Sequence, residues 1–187
     1  GGLLIPATAV VFGMLIHAPA LRQRFGVVGQ PCGISYDGIN VRTESSTEGY
    51  ICETLREYPH RPLTGQVELI RLDFTEPCAL RELFGKRLPA TALKATDDGE
   101  VHGIAIWWEL SLDREGLHRV SSAPHRHDSS WQQALYPLHA ADFMQPLRVV
   151  GRGDLVHIVP ELSPAGDRLG FSVKLDEQSN GGRSAEA

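Results

Sequence analysis

The amino-acid sequence predicts a mainly β domain, built as a β-barrel or a β-sandwich. Three apolar segments carry most of this prediction: Thr8 to His17, Glu100 to Leu112 and Leu169 to Leu175. Apolar residues in the last two alternate with polar ones, as in strands with one buried face. The first segment is apolar on both faces and should be covered on both. No alternation of strands with long helices is visible, which argues against a doubly wound parallel sheet.

Further strands are predicted at 67–75, 131–138 and 155–159, with a weaker one at 34–41. The alternation in Val67 to Thr75 changes phase, and a bulge near Leu69 and Ile70 would explain the change. Short helical turns are predicted at 19–25 and 77–84, the second of them closed by Gly85.

One segment has a different spacing of apolar residues. From Glu44 to Tyr58, apolar and Thr residues recur at helical spacing, which predicts an amphipathic helix inserted among the strands. These residues are Thr47, Tyr50, Ile51, Thr54, Leu55 and Tyr58. The apolar face of such a helix needs a partner. Packing on its own domain and contact with another subunit are equally good explanations at this point.

The length of 187 residues fits one domain, which we place at 1–175. The tail at 176–187 is polar and rich in Gly and Ser, so we expect it to be disordered. The net charge of −5 and the scattered Lys and Arg residues argue against nucleic-acid and membrane partners. The apolar run from Leu3 to Ile16 is interrupted by Pro6 and is too short for a membrane span. We expect the chain to be one domain of a longer protein.

The sequence has three cysteines, Cys32, Cys52 and Cys78, without a CxxC pair. This excludes a zinc knuckle and makes a disulfide framework improbable. We therefore expect an intracellular protein, cytoplasmic or nuclear, with small buried or half-buried thiols.

The loop after the Trp pair contains three histidines, His118, His125 and His127, beside Asp128. Such residues can bind zinc or nickel, but Pro and Ser around them indicate a solvated loop without an obvious fourth ligand. We expect no metal here. A serine nucleophile lacks a GxSxG motif, and no glycine-rich loop could bind a nucleotide cofactor.

The role of the Trp131 side chain has two possible interpretations. It could pack in the core at the start of a strand, as aromatic residues often do. It could instead form a wall beside a cationic substrate, because an indole face stabilises a guanidinium by ~0.5–2 kcal/mol. The residues alone favour neither.

Several motifs together resemble the C-terminal β-barrel half of protein arginine N-methyltransferases. Gly2 to Ala7 matches a GG-x-x-I-P step, and the insert at 44–58 lies near the position of the family's dimerisation arm. Asp73-Phe74, the GIAIWWEL strand and the loop ending in Ser129-Ser130-Trp131 follow in family order. The resemblance extends to about Val173 and looks closest to the divergent branch with two methyltransferase modules.

The resemblance implies roles for particular residues. Substrate binding would involve Ser129, Ser130 and Trp131, with Ser130 standing where the family has a His. A dimer interface would involve Tyr50, Ile51, Leu55 and Tyr58, in a homodimer or an intramolecular pseudo-dimer. The substrate would be an arginine-containing protein.

The resemblance also implies what the chain lacks. S-adenosylmethionine would be bound by an upstream Rossmann-like domain, which is missing here, and no metal would be used. No catalytic residue is then expected in this chain, and the isolated chain should be inactive.

Two rival functions remain open. The first is a peptide or protein recognition module derived from the same barrel. The second is an unrelated β-sandwich that binds carbohydrate, which would need Trp107 or Trp108 exposed on a flat face. The barrel interpretation instead buries at least Trp108.

Overall fold

The computed structural model describes residues 4–21, 31–35, 49–126, 129–138 and 148–175. Its longer strands are β1 (Thr8–His17), β4 (Val67–Asp73), β7 (Gly103–Ser111), β9 (Gln133–Pro137), β11 (Leu155–Leu162) and β12 (Leu169–Leu175). The shorter strands are β2 (Ile51–Glu53), β3 (Arg61–Pro62), β5 (Thr91–Lys94), β6 (Gly99–Glu100), β8 (Arg119–Ser121) and β10 (Val149–Val150). The helix α1 spans Pro77–Arg81, a 3-10 turn spans Pro31–Gly33, and residues 19–21 are helical.

The strands confirm the prediction of a mainly β domain. The largest sheet has the order β2-β9-β7-β1-β3, with β4 also paired to β1 and β8 to β7. A second sheet has the order β12-β11-β5, and β10 pairs with β6. Among the described residues, these pairings do not close into a ring. Isolated bridges also join Thr64 to Ala95 and Arg87 to Glu161.

Strands β1 and β7 form the centre of the largest sheet. They are antiparallel over their length, from Thr8 opposite Ser111 to Ile16 opposite Gly103. Because both have neighbours on each side, their backbone groups are paired. Leu15 and Ile16 of β1 are both fully buried and belong to different apolar clusters, so the strand is covered on both faces, as its sequence predicts. The predicted bounds of β1 are confirmed.

The predicted bulge in β4 is also confirmed. The pairing of β1 with β4 passes from Val11 opposite Ile70 to Phe12 opposite Glu68, so Leu69 has no partner in the ladder. Gly13 makes room for it, since a Cβ there would lie 2.6 Å from the Leu69 side chain.

Two apolar clusters stabilise the domain. The larger one joins the main sheet to the β12-β11-β5 sheet, through residues such as Leu15, Ile104, Val156 and Ile158, all fully buried. The smaller one lies on the other face of the main sheet. Its buried members are Ile16, Ala18, Leu21, Leu55, Ala105 and Leu135.

The predicted helix at 44–58 is wrong for residues 51–58, and 44–48 lie outside the described residues. Ile51–Glu53 form strand β2 on the edge of β9, with Ile51 opposite Leu135. A single turn follows, in which the Tyr58 N–H donates to the Thr54 carbonyl at 3.1 Å. A short strand joined to one turn gives nearly the same apolar spacing as a helix, so the pattern could not separate them.

Some of the other secondary-structure predictions are confirmed and others are not. The helix in 77–84 and the strand Leu169 to Leu175 are confirmed, while residues 34–35 are not in a strand and 36–41 lie outside the described residues. Residues 22–25 and the tail at 176–187 also lie outside them.

The cysteine prediction needs correction, because Cys32, Cys52 and Cys78 are exposed free thiols. In the part of the chain that the structure describes, no helix has the length and apolarity needed to cross a bilayer.

Candidate functional site

An aromatic pair marks the candidate site. The rings of Trp108 on β7 and Trp131 before β9 lie 5.3 Å apart and nearly perpendicular, at 75°. Trp131 is 60% exposed, whereas Trp108 is half-buried and Trp107 is buried at 3%. The sequence predicted Trp131 within a strand and at least Trp108 as buried. Neither holds, because β9 begins only at Gln133 and Trp107 takes the inward position, stacked 6.2 Å from Phe12.

The backbone of Trp131 is held on both sides. Its N–H donates to the Ser129 hydroxyl at 3.2 Å, a local turn of the kind that Ser favours. Its carbonyl accepts from the Gln133 side-chain amide at 3.3 Å. Ser129 is half-buried and Ser130 is exposed. The three residues predicted to bind substrate are therefore adjacent, with the indole open to solvent and its backbone fixed.

Gln133 is the residue that sequence reasoning missed. Its side chain is buried, at 3% exposure for the residue, and both ends of its amide are bonded. The nitrogen donates to the Ser122 carbonyl at 2.6 Å, and the oxygen accepts from the Leu55 N–H at 2.8 Å. A glutamine among inward-facing apolar residues was the available signal, since a buried amide needs partners for both its ends.

Ser122 links Gln133 to Trp108 by hydrogen bonds. It is fully buried, and its N–H donates to the Trp108 carbonyl at 2.9 Å. The Trp108 N–H donates in return to the Ser122 hydroxyl at 3.1 Å. Gln133, Ser122 and Trp108 thus form a bonded support beneath Trp131, which limits how far the exposed indole can move.

The residues predicted as a dimer interface have different environments. Leu55 is buried at 1% in the smaller apolar cluster, so it packs on its own domain. Ile51 and Tyr58 pack against the same cluster and are partly buried. Tyr50 is exposed, with its ring 5.0 Å from that of Tyr136. The internal alternative is therefore realised for Leu55, while a subunit contact through the others stays a prediction.

The histidines of the long loop are not brought together in the described part. His118 is exposed and its Nδ1 lies 2.7 Å from Asp113, which also accepts from the Leu117 and His118 backbone N–H groups. The Leu117 N–H is the main cause that lowers the pKa of Asp113. His125 is exposed, and His127 and Asp128 lie outside the described residues. Asp113 thus shapes a turn.

The groups around Trp131 suit a planar cation. They are indole rings, serine hydroxyls and backbone carbonyls, which can stack on a guanidinium and accept its hydrogen bonds. The buried Trp107 and the tilted Trp108 do not offer the flat, exposed surface that the carbohydrate-binding alternative required. That alternative is therefore disfavoured.

No protein-family model matches the chain. The similar proteins that comparison finds are named as arginine methyltransferases. Human protein arginine N-methyltransferase 9 is 29% identical over 175 residues, which cover 87% of this chain and 20% of the human protein. The mouse protein of the same name is 28% identical over 153 residues, 75% of this chain and 18% of that protein.

A bacterial relative is similar too. The arginine N(omega)-methyltransferase of Streptomyces achromogenes subsp. streptozoticus is 28% identical over 137 residues, 73% of this chain and 35% of that protein. The chain thus spans 18% to 35% of the length of these relatives. Their names do not bear on the branch with two modules, which stays a prediction.

Solved structures share the fold. A crystal structure of PRMT6 matches with a TM-score of 0.52 at 16% identity, over 91% of this chain and 55% of that one. A PRMT6-SAH structure matches with a TM-score of 0.55 at 18% identity and the same coverage. The chain is therefore similar in sequence to arginine methyltransferases, and it shares its fold with the PRMT6 structures.

Proposed function

We propose that this chain is the β half of an arginine methyltransferase, and that it forms one wall of the substrate site. The observation that carries the proposal is Trp131, whose exposed indole contacts the ring of Trp108 and whose backbone is bonded to Ser129 and Gln133. An aromatic side chain 60% exposed loses the benefit of burial, which a core residue would keep. An exposed indole on a hydrogen-bonded backbone is well suited to a cationic substrate group.

The chain's own residues would orient the guanidinium. Its plane stacks on Trp131 for ~0.5–2 kcal/mol, and the Ser129 and Ser130 hydroxyls accept hydrogen bonds from its edge. Ser130 stands where the family has a His, so no side chain at this position titrates near neutral pH. Positioning through this loop should therefore depend little on pH between about 6 and 8.

Methyl transfer itself needs more than this wall. A guanidino nitrogen forms a bond to the methyl carbon as the sulfur–carbon bond breaks, and the nitrogen then loses a proton. S-adenosylmethionine, when bound, supplies that activated methyl group, and the similarity of the fold to a PRMT6-SAH structure supports this choice of cofactor. The cofactor and the carboxylates that orient the guanidinium require precise placement. Since the chain has no glycine-rich loop, we assign both to an upstream domain.

The substrate class is an arginine side chain or free arginine. The mammalian relatives are named for protein arginine, and the Streptomyces relative is named for arginine. We propose protein arginine, because Trp131 lies at an open surface where a polypeptide could approach. The exposed thiols also fit a reducing, intracellular setting.

We also propose a subunit or pseudo-dimer contact through Tyr50, with Ile51 and Tyr58 behind it. Tyr50→Glu in a longer form of the protein, one that carries the upstream domain, should weaken the dimer by placing a charge in an apolar contact. Light scattering after size-exclusion chromatography measures the mass. Leu55 is unsuitable for this test, because a charge at a buried site would unfold the domain. A Tyr50→Glu variant with an unchanged dimer mass contradicts the contact.

Calorimetric titration tests the main proposal. S-adenosylhomocysteine, an arginine-rich peptide and free arginine are titrated separately into this chain and into the longer form. We expect binding of S-adenosylhomocysteine and peptide by the longer form alone, and no methylation of the peptide by this chain. Methylation by the isolated chain would overturn the proposal.

The exposed Trp131 also favours the rival recognition module. Peptide binding by this chain alone, lost in Trp131→Ala, would support that module instead. Stronger binding of free arginine than of peptide by the longer form would change the substrate class but keep the enzyme.

A further inference from the structure

A second polar cluster lies away from Trp131, at the other end of β7. It consists of His17 at the end of β1, Glu100 at the end of β6 and His102 just before β7. One possible ligand atom from each of the three residues lies within 4.8 Å of the other two. The antiparallel pairing of Ile16 with Gly103 brings these segments together, so the cluster is set by the centre of the main sheet.

The two imidazole rings are oriented by one backbone carbonyl. Nδ1 of His17 and Nδ1 of His102 each lie 3.1 Å from the Glu100 carbonyl oxygen. Histidines that bind a metal commonly donate their second ring N–H to such an oxygen, which fixes the tautomer and leaves the other nitrogen for the metal. The Glu100 carbonyl therefore supplies for both rings the outer support that a metal site needs.

The side chain of Glu100 adds a third donor. Its Oε2 lies 3.6 Å from Nε2 of His102. Two ligands at about 2.0–2.2 Å from a tetrahedral zinc ion are about 3.3–3.6 Å apart, so this pair already has the spacing of two zinc ligands. His102 is buried at 3%, His17 is half-buried and Glu100 is exposed. The cluster is thus anchored on the inside and reachable from solvent.

The surrounding charges tolerate a cation. Arg61 lies opposite His17 in the pairing of β1 with β3, which would oppose a second positive charge. Its guanidinium is, however, paired with Asp97 and bonded to the Asp98 carbonyl at 2.8 Å. Asp97 also lies 3.6 Å from Arg152. Asp97 therefore offsets part of the positive charge of the two arginines, and Glu100 supplies an additional negative charge.

We propose that His17, Glu100 and His102 bind a divalent transition-metal ion, with zinc preferred, in an open site with three protein ligands. Two imidazoles and one carboxylate suit zinc and its neighbours, whereas calcium and magnesium prefer all-oxygen sites. Water would occupy the fourth position. The sequence-based expectation of no metal came from the loop histidines and did not consider these residues, which only the fold brings together.

Without a metal, the same residues have a structural role. The Ala18 N–H lies 3.2 Å from Nδ1 of His102, where it can donate only if that nitrogen carries no proton. The two rings also meet edge to face, at 4.6 Å and 80°. A metal on Nε2 selects the opposite tautomer, in which Nδ1 donates to the Glu100 carbonyl. Binding therefore has to offset the loss of the bond from Ala18.

The test is a calorimetric titration of zinc chloride into this chain after treatment with a chelator. Variants are Glu100→Gln, whose exposed side chain can change without unfolding the domain, and His17→Gln. His118→Ala is the matched control, because His118 and Asp113 form an exposed pair outside the cluster. Circular dichroism checks that each variant is folded, and magnesium chloride is titrated in parallel.

We expect one zinc ion per chain, at least tenfold weaker binding in Glu100→Gln and His17→Gln, and unchanged binding in His118→Ala. Magnesium should not bind comparably. The proposal is overturned if zinc does not bind, if both cluster variants bind it like the wild type, or if only His118→Ala weakens it. The outcome is independent of the methyltransferase proposal, since no cofactor or substrate enters the measurement.

Discussion

The two ends of strand β7 differ in chemistry although one continuous strand connects them. At its start, His102 is buried beside His17 and Glu100, the three side chains for which we propose a metal ion. Toward its other end, Trp108 supports an exposed Trp131, and the supporting groups are uncharged amides and hydroxyls. The buried polar side chain at one end is therefore an imidazole, whereas at the other end the buried polar side chains are an amide and a hydroxyl and the exposed group is aromatic.

The separation of these two ends has a functional consequence. Trp108 is six positions after His102, which in a strand is a distance of about 20 Å. A metal at the first end could not touch a substrate on Trp131. We infer that the first end serves the stability of the sheet and that the second serves recognition. The predictions below test this difference, beginning with the largest effect.

The two tryptophans should differ most in their effect on stability. Trp107→Ala removes a buried ring stacked on Phe12 and should lower the free energy of unfolding by about 3–5 kcal/mol. Trp131→Ala, at an exposed position, should lower it by less than about 1 kcal/mol. Urea denaturation measures both. Equal losses would mean that Trp131 is a core residue and would remove the basis of the substrate wall.

Gln133 should be the next most sensitive position. Gln133→Ala leaves the Leu55 N–H and the Ser122 carbonyl without their amide partner, which should cost about 2–4 kcal/mol. Gln132→Ala is the matched control, because Gln132 is exposed and should change stability by less than about 0.5 kcal/mol. The same urea experiment applies. Equal changes in the free energy of unfolding for the two variants would mean that the buried Gln133 amide does not stabilise the segment that carries Trp131.

Gly103, at the start of β7, should not tolerate a side chain. A Cβ there would lie 2.6 Å from the Tyr136 carbonyl oxygen and 2.6 Å from the Leu21 side chain. Because the first of these is backbone, Gly103→Ala should cost about 1–3 kcal/mol. Gly65→Ala meets nothing within 4 Å and serves as the control in thermal unfolding. An unchanged melting temperature for Gly103→Ala would contradict the close packing of β7 on β9.

The smallest effect should appear only at high pH. Burial raises the pKa of Tyr136 to about 12 from its ordinary value of 10.0. The unfolded chain therefore ionises first, so the contribution to stability is present below about pH 10 and is lost as the pH rises to about 12. Tyr136→Phe should flatten this part of the stability profile. A wild-type profile that does not fall more steeply than that of Tyr136→Phe over this range contradicts the burial of the phenol.

The sequence predicted those features that depend on local pattern. The bounds of β1 and β12 and the bulge at Leu69 follow from apolar alternation and its phase, which are visible within ten residues. The segment at 51–58 was misjudged, because a short strand and a turn share the spacing of a helix. Its pairing with β9 is set by residues more than 70 positions away.

The candidate sites also differ in whether a local sequence pattern could reveal them. Trp131 was found because an aromatic residue after a polar loop is conspicuous in the sequence and matches a family motif. Gln133 and the cluster of His17, Glu100 and His102 were missed, because each depends on partners from distant segments of the chain. A local sequence pattern does not show which distant segments come into contact in the folded chain.

The central claim is that Trp131 forms the substrate wall, and kinetics of the longer form test it most directly. Methylation of an arginine peptide is measured for the wild type, Trp131→Phe and Trp131→Ala. Loss of the cation–π contact should lower kcat/KM about 3- to 30-fold in Trp131→Ala, with partial recovery in Trp131→Phe. A Trp131→Ala enzyme with unchanged kcat/KM would contradict the account.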